Sequence, residues 1–294
     1  MNEQGGASRW GGVAGKRVVI TGGTGGIGLA AAEVLASRGA KLALVARNPD
    51  RATAAVERIT ATAGQGADVD VLHADLASFA SIRRLAADIL DRYPTVDALV
   101  NNAGAVNISR QLSEDGIEMT WAVNHLAGFL LTNLLLGRLV GSAPARIVTT
   151  SSVAHSVATI PFDDLNAERS YGRAGFTRYG ETKLANILFT TELARRLEGT
   201  GVTANSFHPG FVATGFNTNN GVLMRFGMAL TRPFARSPEK GADTLVWLLD
   251  SEDVSSETGG YFVDRRRVVP SRAARDEDAA RRLWEVSEEQ TVLV

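Results

Sequence analysis

The stretch Arg17-Val-Val-Ile-Thr-Gly-Gly-Thr-Gly-Gly-Ile-Gly28 joins a short apolar run to a glycine-rich turn. The apolar run predicts a buried strand, and the pattern from Ile27 to Ser37 predicts a helix. Glycines let a pyrophosphate approach the backbone, and the N–H groups at the start of a helix bind anions. The stretch therefore predicts a dinucleotide-binding turn, although a glycine-rich turn without a ligand would show the same spacing.

Outward from this turn, strand-like apolar runs alternate with helical patterns along the chain. The strand-like runs are residues 17–20, 41–46, 69–73, 96–101, 146–150, 202–207 and 261–263. This alternation predicts an α/β fold, a single-domain doubly wound parallel sheet of the Rossmann type, with about seven strands and helices on both faces. One long helix is expected from about Ser113 to Val140.

We expect a single domain over residues 1–294. Its parts include a flexible start (1–15), a substrate lid (211–236) and a peripheral C-terminal tail (276–294). The 45% hydrophobic content is enough for a large buried core.

Charge and composition exclude several classes of function. The chain has 31 basic and 32 acidic residues, so neither nucleic acid nor a membrane surface is an expected partner. The absence of cysteine fits a reducing compartment, and with no secretory signal visible we expect a cytoplasmic protein. The most apolar run, 127–141, has 15 residues and contains Arg138, so we expect no transmembrane segment. The four histidines show no metal-site spacing.

The sequence Tyr179-Gly-Glu-Thr-Lys183 provides a candidate acid and base. Residues four apart share one face of a helix, so the ammonium of Lys183 can lie beside the phenol of Tyr179. A positive charge ~4 Å away, at an effective dielectric near ~20, would contribute roughly 4 kcal/mol and lower the pKa of the phenol. Alone, the pair is weak evidence, because Tyr/Lys pairs are common on solvated helix faces.

Arg47 indicates which cofactor is preferred. An acidic residue about 20 positions beyond the glycines would bind a ribose 2′-hydroxyl, but Arg47 stands 19 positions after Gly28. A guanidinium forms charge-assisted hydrogen bonds with a phosphate, whereas Asp50 falls in the first turn of the next helix. We therefore expect NADP(H) to be preferred over NAD(H), the alternative being that Arg47 is an ordinary surface arginine.

Taken together, the motifs resemble those of short-chain dehydrogenases/reductases. The ordered set comprises Thr21-Gly22-x-x-x-Gly26-x-Gly28, Asn101-Asn102-Ala103-Gly104, Ser152, Tyr179-x-x-x-Lys183 and Pro209-Gly210. The resemblance covers about residues 15–263. Stretches at 151–155, 160–165, 183–189 and 283–287 are similar to the retinol dehydrogenase-like branch, as is the gap of 26 residues between Ser152 and Tyr179.

The resemblance implies roles for individual residues. Tyr179 would exchange a proton with the substrate oxygen, Lys183 would lower its pKa and hold the nicotinamide ribose, and Ser152 would hydrogen-bond the substrate oxygen. Asn124 would help to hold a water and proton relay behind Lys183. The cofactor would be bound by Gly22, Thr24, Gly25, Gly26, Ile27, Gly28, Arg47, Asp75, Leu76, Asn102, Ala103, Gly104, Tyr179, Lys183, Pro209, Gly210, Val212 and Thr214.

The resemblance implies an NADP(H)-dependent oxidoreductase that interconverts an alcohol and its aldehyde or ketone. A hydrophobic substrate is expected because segment 211–236 is strongly apolar, although its side chains could instead pack on the core or on another subunit. The helix ending near Val140 and the helix with Tyr179 form a subunit interface in many relatives, which implies a homodimer or tetramer. Two alternatives are a catalytically silent cofactor-binding regulator and a nucleotide-sugar epimerase-like enzyme, since Gly25 also fits the epimerase pattern.

Overall fold

A computed structural model describes residues 10–212 and 235–293. Eight strands in these residues form one sheet with the order β3-β2-β1-β4-β5-β6-β7-β8. All pairs are parallel except β7–β8, so the predicted doubly wound sheet is confirmed, with one short antiparallel strand added at its edge. The strands are β1 Arg17–Thr21, β2 Lys41–Ala46, β3 Val69–His73, β4 Ala98–Asn101, β5 Ala145–Thr150, β6 Val202–His208, β7 Tyr261–Val263 and β8 Arg266–Arg267.

Helices cover both faces of this sheet. They are α1 Gly26–Ser37, α2 Pro49–Ala63, α3 Phe79–Arg92, α4 Met119–Trp121, α5 Ala127–Gly141, α6 Phe176–Arg196, α7 Pro238–Asp250 and α8 Glu277–Thr291. Alternate side chains of each strand point to opposite faces, so Val19 joins the core beneath α3, α5 and α6, while Val18 and Ile20 join the core beneath α1 and α7.

The long helix begins later than the sequence predicted. Helix α4 continues through a π-helical turn, Ala122–Leu126, into α5, so the run starts at Met119 rather than near Ser113. Residues 113–118 form a turn instead, because Gly116 adopts a positive φ of 74° and Ser113 donates its N–H to the Ile117 carbonyl. The side chain of Glu118 then caps the helix by accepting from the N–H groups of Thr120 and Trp121.

This helical run is longer than the 15-residue apolar segment that the sequence indicated. Met119–Gly141 has 23 residues and is apolar enough, by length and composition, to cross a membrane. In the fold, 56% of its most apolar window is buried, and it packs against α3 and α6. The core helix of a globular domain passes the same test.

The two ends of the described chain pack more closely than expected. Trp10 is buried, with the guanidinium of Arg146 over its ring at 4.4 Å, so residues 10–15 are not a flexible start. At the other end α8 is amphipathic and buries Leu283 and Trp284 against α6, so it completes the core rather than lying at the periphery.

Candidate active site

The glycine turn between β1 and α1 forms an open helix N-terminus. Gly22 and Gly26 adopt positive φ values of 68° and 52°, which favour glycine. A side chain at Gly28 would overlap the carbonyl oxygen of Gly22 and lie 2.6 Å from the Asn102 amide nitrogen. Helix α1 has no side-chain cap at Gly25, so its first N–H groups can face a bound anion. The turn therefore fits a dinucleotide pyrophosphate.

Asn102 joins this turn to the ends of two neighbouring strands. Its Nδ2 donates to the carbonyls of Thr21 (3.1 Å) and Gly22 (3.3 Å), and its Oδ1 accepts from the Thr150 hydroxyl at 3.2 Å. The Thr21 hydroxyl accepts from the N–H groups of Asn102 and Ala103. Thr21 is thus a positioning residue that the sequence analysis did not single out, although it heads the glycine motif.

Ser152, Tyr179 and Lys183 are brought together at the carboxyl end of β5. The Ser152 side chain lies close enough to the Tyr179 phenol to influence its pKa, and the Lys183 ammonium lies 5.4 Å from the centroid of the Tyr179 ring. Lys183 also donates to the Thr150 carbonyl at 3.1 Å. Ser151 points the other way, donating to the Lys183 carbonyl from a buried position. Two hydroxyl donors and one cation therefore share one edge of the sheet.

Asn124 lies in the π-helical turn between α4 and α5. A Cβ at Gly104 would lie 3.4 Å from Asn124 Oδ1 and 3.6 Å from Lys183 Nζ, so these two side chains are close neighbours. The amide of Asn124 exchanges two hydrogen bonds with the backbone of Ala105 (2.7 and 2.8 Å) and donates to Thr182 at 3.1 Å. The side chain of Asn124 thus fixes the loop after β4 against α6.

Burial sets the proton affinities of the two central side chains. It raises the pKa of Tyr179 to about 12, against the opposing effect of the hydrogen bond with Ser152. It lowers the pKa of Lys183 to about 8. The expectation of a lowered pKa for Tyr179 is therefore wrong for this structure, because the cost of removing a phenolate from water outweighs the lowering effect of Ser152. At neutral pH Tyr179 holds its proton and can donate it.

Two arginines flank the glycine turn at the end of β2. Arg47 is exposed and lies 4.0 Å from a carboxylate oxygen of Asp75. Arg51, in the first turn of α2, points its Nη2 at Gly25, where a Cβ would lie only 2.9 Å away. Arg51 was not predicted as a cofactor residue, although the sequence shows it four positions after Arg47. Leu76 lines a small space with Thr21, Ala103 and Asn124.

The remaining predicted cofactor residues follow β6. Gly210 has a positive φ of 85°, and the side chain of Arg236 occupies the space that a Cβ at Gly210 would need. Val212 forms a β-bridge with Arg236. The side chains of Val212 and Ile27 both lie next to Gly241, so this segment approaches the start of α1. Thr214 and most of the predicted lid, 211–236, lie outside the described residues.

Burial favours the neutral form of three histidines. Burial lowers the pKa of His125 to about 3 and of His208 to about 4, and it also lowers the pKa of His155. His155 accepts from the Ser271 N–H through Nε2, and its Nδ1 lies 2.7 Å from the Ser152 carbonyl. Within residues 10–212 and 235–293, no group of three or more His, Asp or Glu side chains could hold a metal ion.

The sheet order, the glycine turn and the Ser/Tyr/Lys group define a dinucleotide-binding oxidoreductase of the Rossmann class. The family model described as short chain dehydrogenase matches residues 16–163. The chain belongs to the short-chain dehydrogenase/reductase family, in its retinol dehydrogenase-like branch. It is therefore an oxidoreductase acting on CH–OH groups, in a family that uses NAD(P).

Relatives of known name cover nearly the whole chain. Retinol dehydrogenase 14 of Mus musculus is 42% identical over 93% of this chain and 85% of its own. The protein named "Putative daunorubicin C-13 ketoreductase DnrU", from Streptomyces sp. (strain C5), is 43% identical over 94% and 93%.

Solved structures share the fold. An uncharacterised protein from Mycobacterium paratuberculosis superposes with a TM-score of 0.77 at 32% identity, covering 98% of both chains. A short chain dehydrogenase from Burkholderia cenocepacia, solved in complex with NADP, has a TM-score of 0.68 at 29% identity, covering 85% of this chain and 96% of its own.

Proposed function

We propose that this protein is an NADP(H)-dependent enzyme that interconverts a hydrophobic alcohol and its aldehyde or ketone, with Tyr179 as the acid and base. One observation carries the proposal: the Ser152 side chain and the Tyr179 phenol lie together beside the Lys183 ammonium, at the sheet edge that also bears the glycine turn. A carbonyl oxygen placed between the two hydroxyls would receive hydrogen bonds from both.

The chain's own residues handle the proton. When bound, the reduced nicotinamide supplies a hydride to the carbonyl carbon. As negative charge develops on the oxygen, Tyr179 transfers its proton to it, and Ser152 stabilises the same charge by a second hydrogen bond. Lys183 stabilises the phenolate that remains, because an ammonium close to an anion in a buried site interacts strongly. Alcohol oxidation runs through the same groups in reverse.

Arg47 and Arg51 support the preference for NADP(H). Both guanidiniums are exposed near the glycine turn, where a planar fork can bind a phosphate by paired hydrogen bonds. A carboxylate oxygen of Asp75 lies 4.0 Å from the Arg47 guanidinium, so the negative charge of Asp75 is partly offset. We expect Arg47→Ala to weaken NADPH binding at least tenfold while changing NADH binding less than threefold, measured by fluorescence titration. Equal losses for both cofactors would contradict this assignment.

A hydrophobic substrate is supported by apolar side chains that are left exposed near the catalytic residues in the chain. Val153 follows Ser152, Phe176 precedes Tyr179 by three positions, and Phe211 follows Gly210; each is more than half exposed. The names of two relatives refer to retinol and to daunorubicin. A panel of long-chain aldehydes, retinoids and polycyclic ketones, with short polar carbonyls as the comparison, tests the substrate class.

Tyr179→Phe tests the proposed chemistry. The variant removes the transferable proton and leaves the ring, so we expect NADPH to bind within threefold of the parent while turnover falls by about 10²-fold or more. Retention of most of the activity would assign the acid to another group. Cofactor binding without turnover of any carbonyl by the parent protein would instead favour a cofactor-binding regulator. The expected cytoplasmic location stays a prediction, which localisation of a tagged chain would test.

A further inference from the structure

A cluster of buried charges lies immediately beside the catalytic tyrosine. The side chains of Arg178 and Glu118 are both fully buried and form an ion pair at 2.8 Å. Arg178 also pairs with Glu181 at 2.9 Å and donates to the Leu165 carbonyl. The ring of Trp121 lies 4.7 Å from the guanidinium carbon. Removing a guanidinium from water is costly unless it is paired and hydrogen-bonded, and here each of the three nitrogens of Arg178 has an acceptor.

The helix that carries Tyr179 has no side-chain cap at its start. Its N-cap, Gly175, has no side chain, and a Cβ there would overlap the Asn107 carbonyl oxygen, so a capping residue is excluded by the backbone path. Ala174 and Gly175 both have positive φ values, 47° and 74°. Phe176, the first helical residue, is 55% exposed. The first turn of α6, which leads to Tyr179, is therefore held by Arg178 rather than by a cap.

Glu118 connects the same arginine to the helix that carries Asn124. Its two carboxylate oxygens accept from the N–H groups of Thr120 and Trp121, both at 2.8 Å, while one of them also holds Arg178. The Tyr171 hydroxyl, in the segment between Ser152 and Tyr179, donates to Glu118 at 3.3 Å. One carboxylate thus joins three pieces of chain that border the catalytic groups.

We propose that Arg178 is a positioning residue, whose paired guanidinium fixes the first turn of α6 so that the Tyr179 hydroxyl faces Ser152. Adjacent helical residues point about 100° apart, so anchoring one side chain against Glu118 sets the direction of the next. The proposal rests on the proposed role of Tyr179 as the acid. It predicts that weakening the anchor lowers turnover by misplacing Tyr179, while the glycine turn still binds cofactor.

A double-mutant cycle tests the proposal. Arg178→Lys keeps the charge but loses the fork that reaches Glu118, Glu181 and Leu165 together. We expect kcat to fall at least tenfold, with the KM for the carbonyl and the Kd for NADPH changed less than threefold. In the Tyr179→Phe background the same substitution should change the residual turnover less than twofold, because the group that it positions is gone. Arg195→Lys is the matched control, an arginine of α6 paired with Glu192 far from the site, and should leave kcat unchanged.

Equal losses in both backgrounds, or a kcat within twofold of the parent, would overturn the proposal. Where Arg178→Lys fails to fold, Glu118→Gln gives the same cycle from the other partner, since it keeps the side-chain volume, removes the negative charge and replaces one of the two acceptor oxygens by a donor. Failure of the proposed function is a separate outcome, because it would be seen as full activity of Tyr179→Phe alone.

Discussion

At the scale of single residues, His125 shows how the fold controls a proton. It is buried among aromatic rings, its Nε2 lies 2.9 Å from the Ser287 hydroxyl, and its Nδ1 has no hydrogen-bond partner. Burial lowers its pKa from 6.5 to about 3. Between these values the folded chain keeps the ring neutral while the unfolded chain protonates it, so the unfolded state binds more protons. Stability must therefore fall as the pH drops from about 6.5 toward 3.

We expect His125→Gln to reduce this acid sensitivity. The parent's free energy of unfolding should drop between pH 7 and pH 5 by about 2 kcal/mol more than that of the variant, because glutamine does not titrate. Urea unfolding followed by tryptophan fluorescence at the two pH values measures the difference. His73→Gln, at an exposed histidine on β3, is the control and should lose stability in parallel with the parent. A parallel fall for His125→Gln as well would contradict the prediction.

At the scale of elements, the unit of β1, glycine turn and α1 depends on contacts too close for any side chain. A methyl group at Gly28 would overlap the Gly22 carbonyl oxygen and crowd Asn102, so the helix would have to shift away from the turn. We expect Gly28→Ala to weaken NADPH binding more than tenfold and to destabilise the fold by about 1–3 kcal/mol. Calorimetric titration and thermal unfolding measure the two effects.

Gly137→Ala is the matched control for that change. Gly137 lies in α5 on the exposed surface, with nothing within 4 Å of a Cβ placed there. Alanine should stabilise this helix by about 0.5–1 kcal/mol, because it loses less backbone freedom on folding than glycine does. NADPH binding should be unchanged. If both alanine variants weakened cofactor binding alike, the contact at Gly28 would not be the cause.

Elements specified by their own residues were predictable, and elements specified by distant contacts were not. Helix α2 begins with an Asn48 cap followed by Pro49, a start that the sequence alone indicates because the cap hydrogen-bonds within its own turn. The Tyr179–Lys183 pair was visible from helical spacing, but its pKa directions were not, because they depend on burial by the rest of the fold. Likewise the ion pair between Glu118 and Arg178 joins residues 60 positions apart, and no local sequence pattern predicts it.

At the scale of the whole molecule, the C-terminal helix α8 covers a surface that the sequence analysis assigned to another subunit. Trp284 packs edge-on to Phe129 of α5 at 5.0 Å and stacks on Phe189 of α6 at 5.9 Å, and the Arg196 guanidinium lies over its ring at 4.1 Å. The faces of α5 and α6 near these residues are therefore occupied within the chain. The homodimer or tetramer stays a prediction, and an interface there would have to use surface that α8 leaves free.

Trp284 consequently should act as the main anchor of α8. Truncating a buried aromatic side chain removes its apolar contacts and leaves a cavity, so we expect Trp284→Ala to lower the free energy of unfolding by about 3–5 kcal/mol. The effect should extend to the site, because the Trp121 indole donates to Gln290 of α8 at 3.0 Å and His125 lies on Ser287. Asn124 lies between Trp121 and His125 in the sequence, so loosening α8 should displace Asn124 and lower kcat before the fold is lost.

Val269→Ala is the control, at a side chain that is 79% exposed. It should change stability by less than 0.5 kcal/mol and leave turnover unchanged. If Trp284→Ala unfolded at the parent's urea concentration, α8 would contribute nothing to the core, and the covered faces of α5 and α6 would again be candidates for a subunit interface.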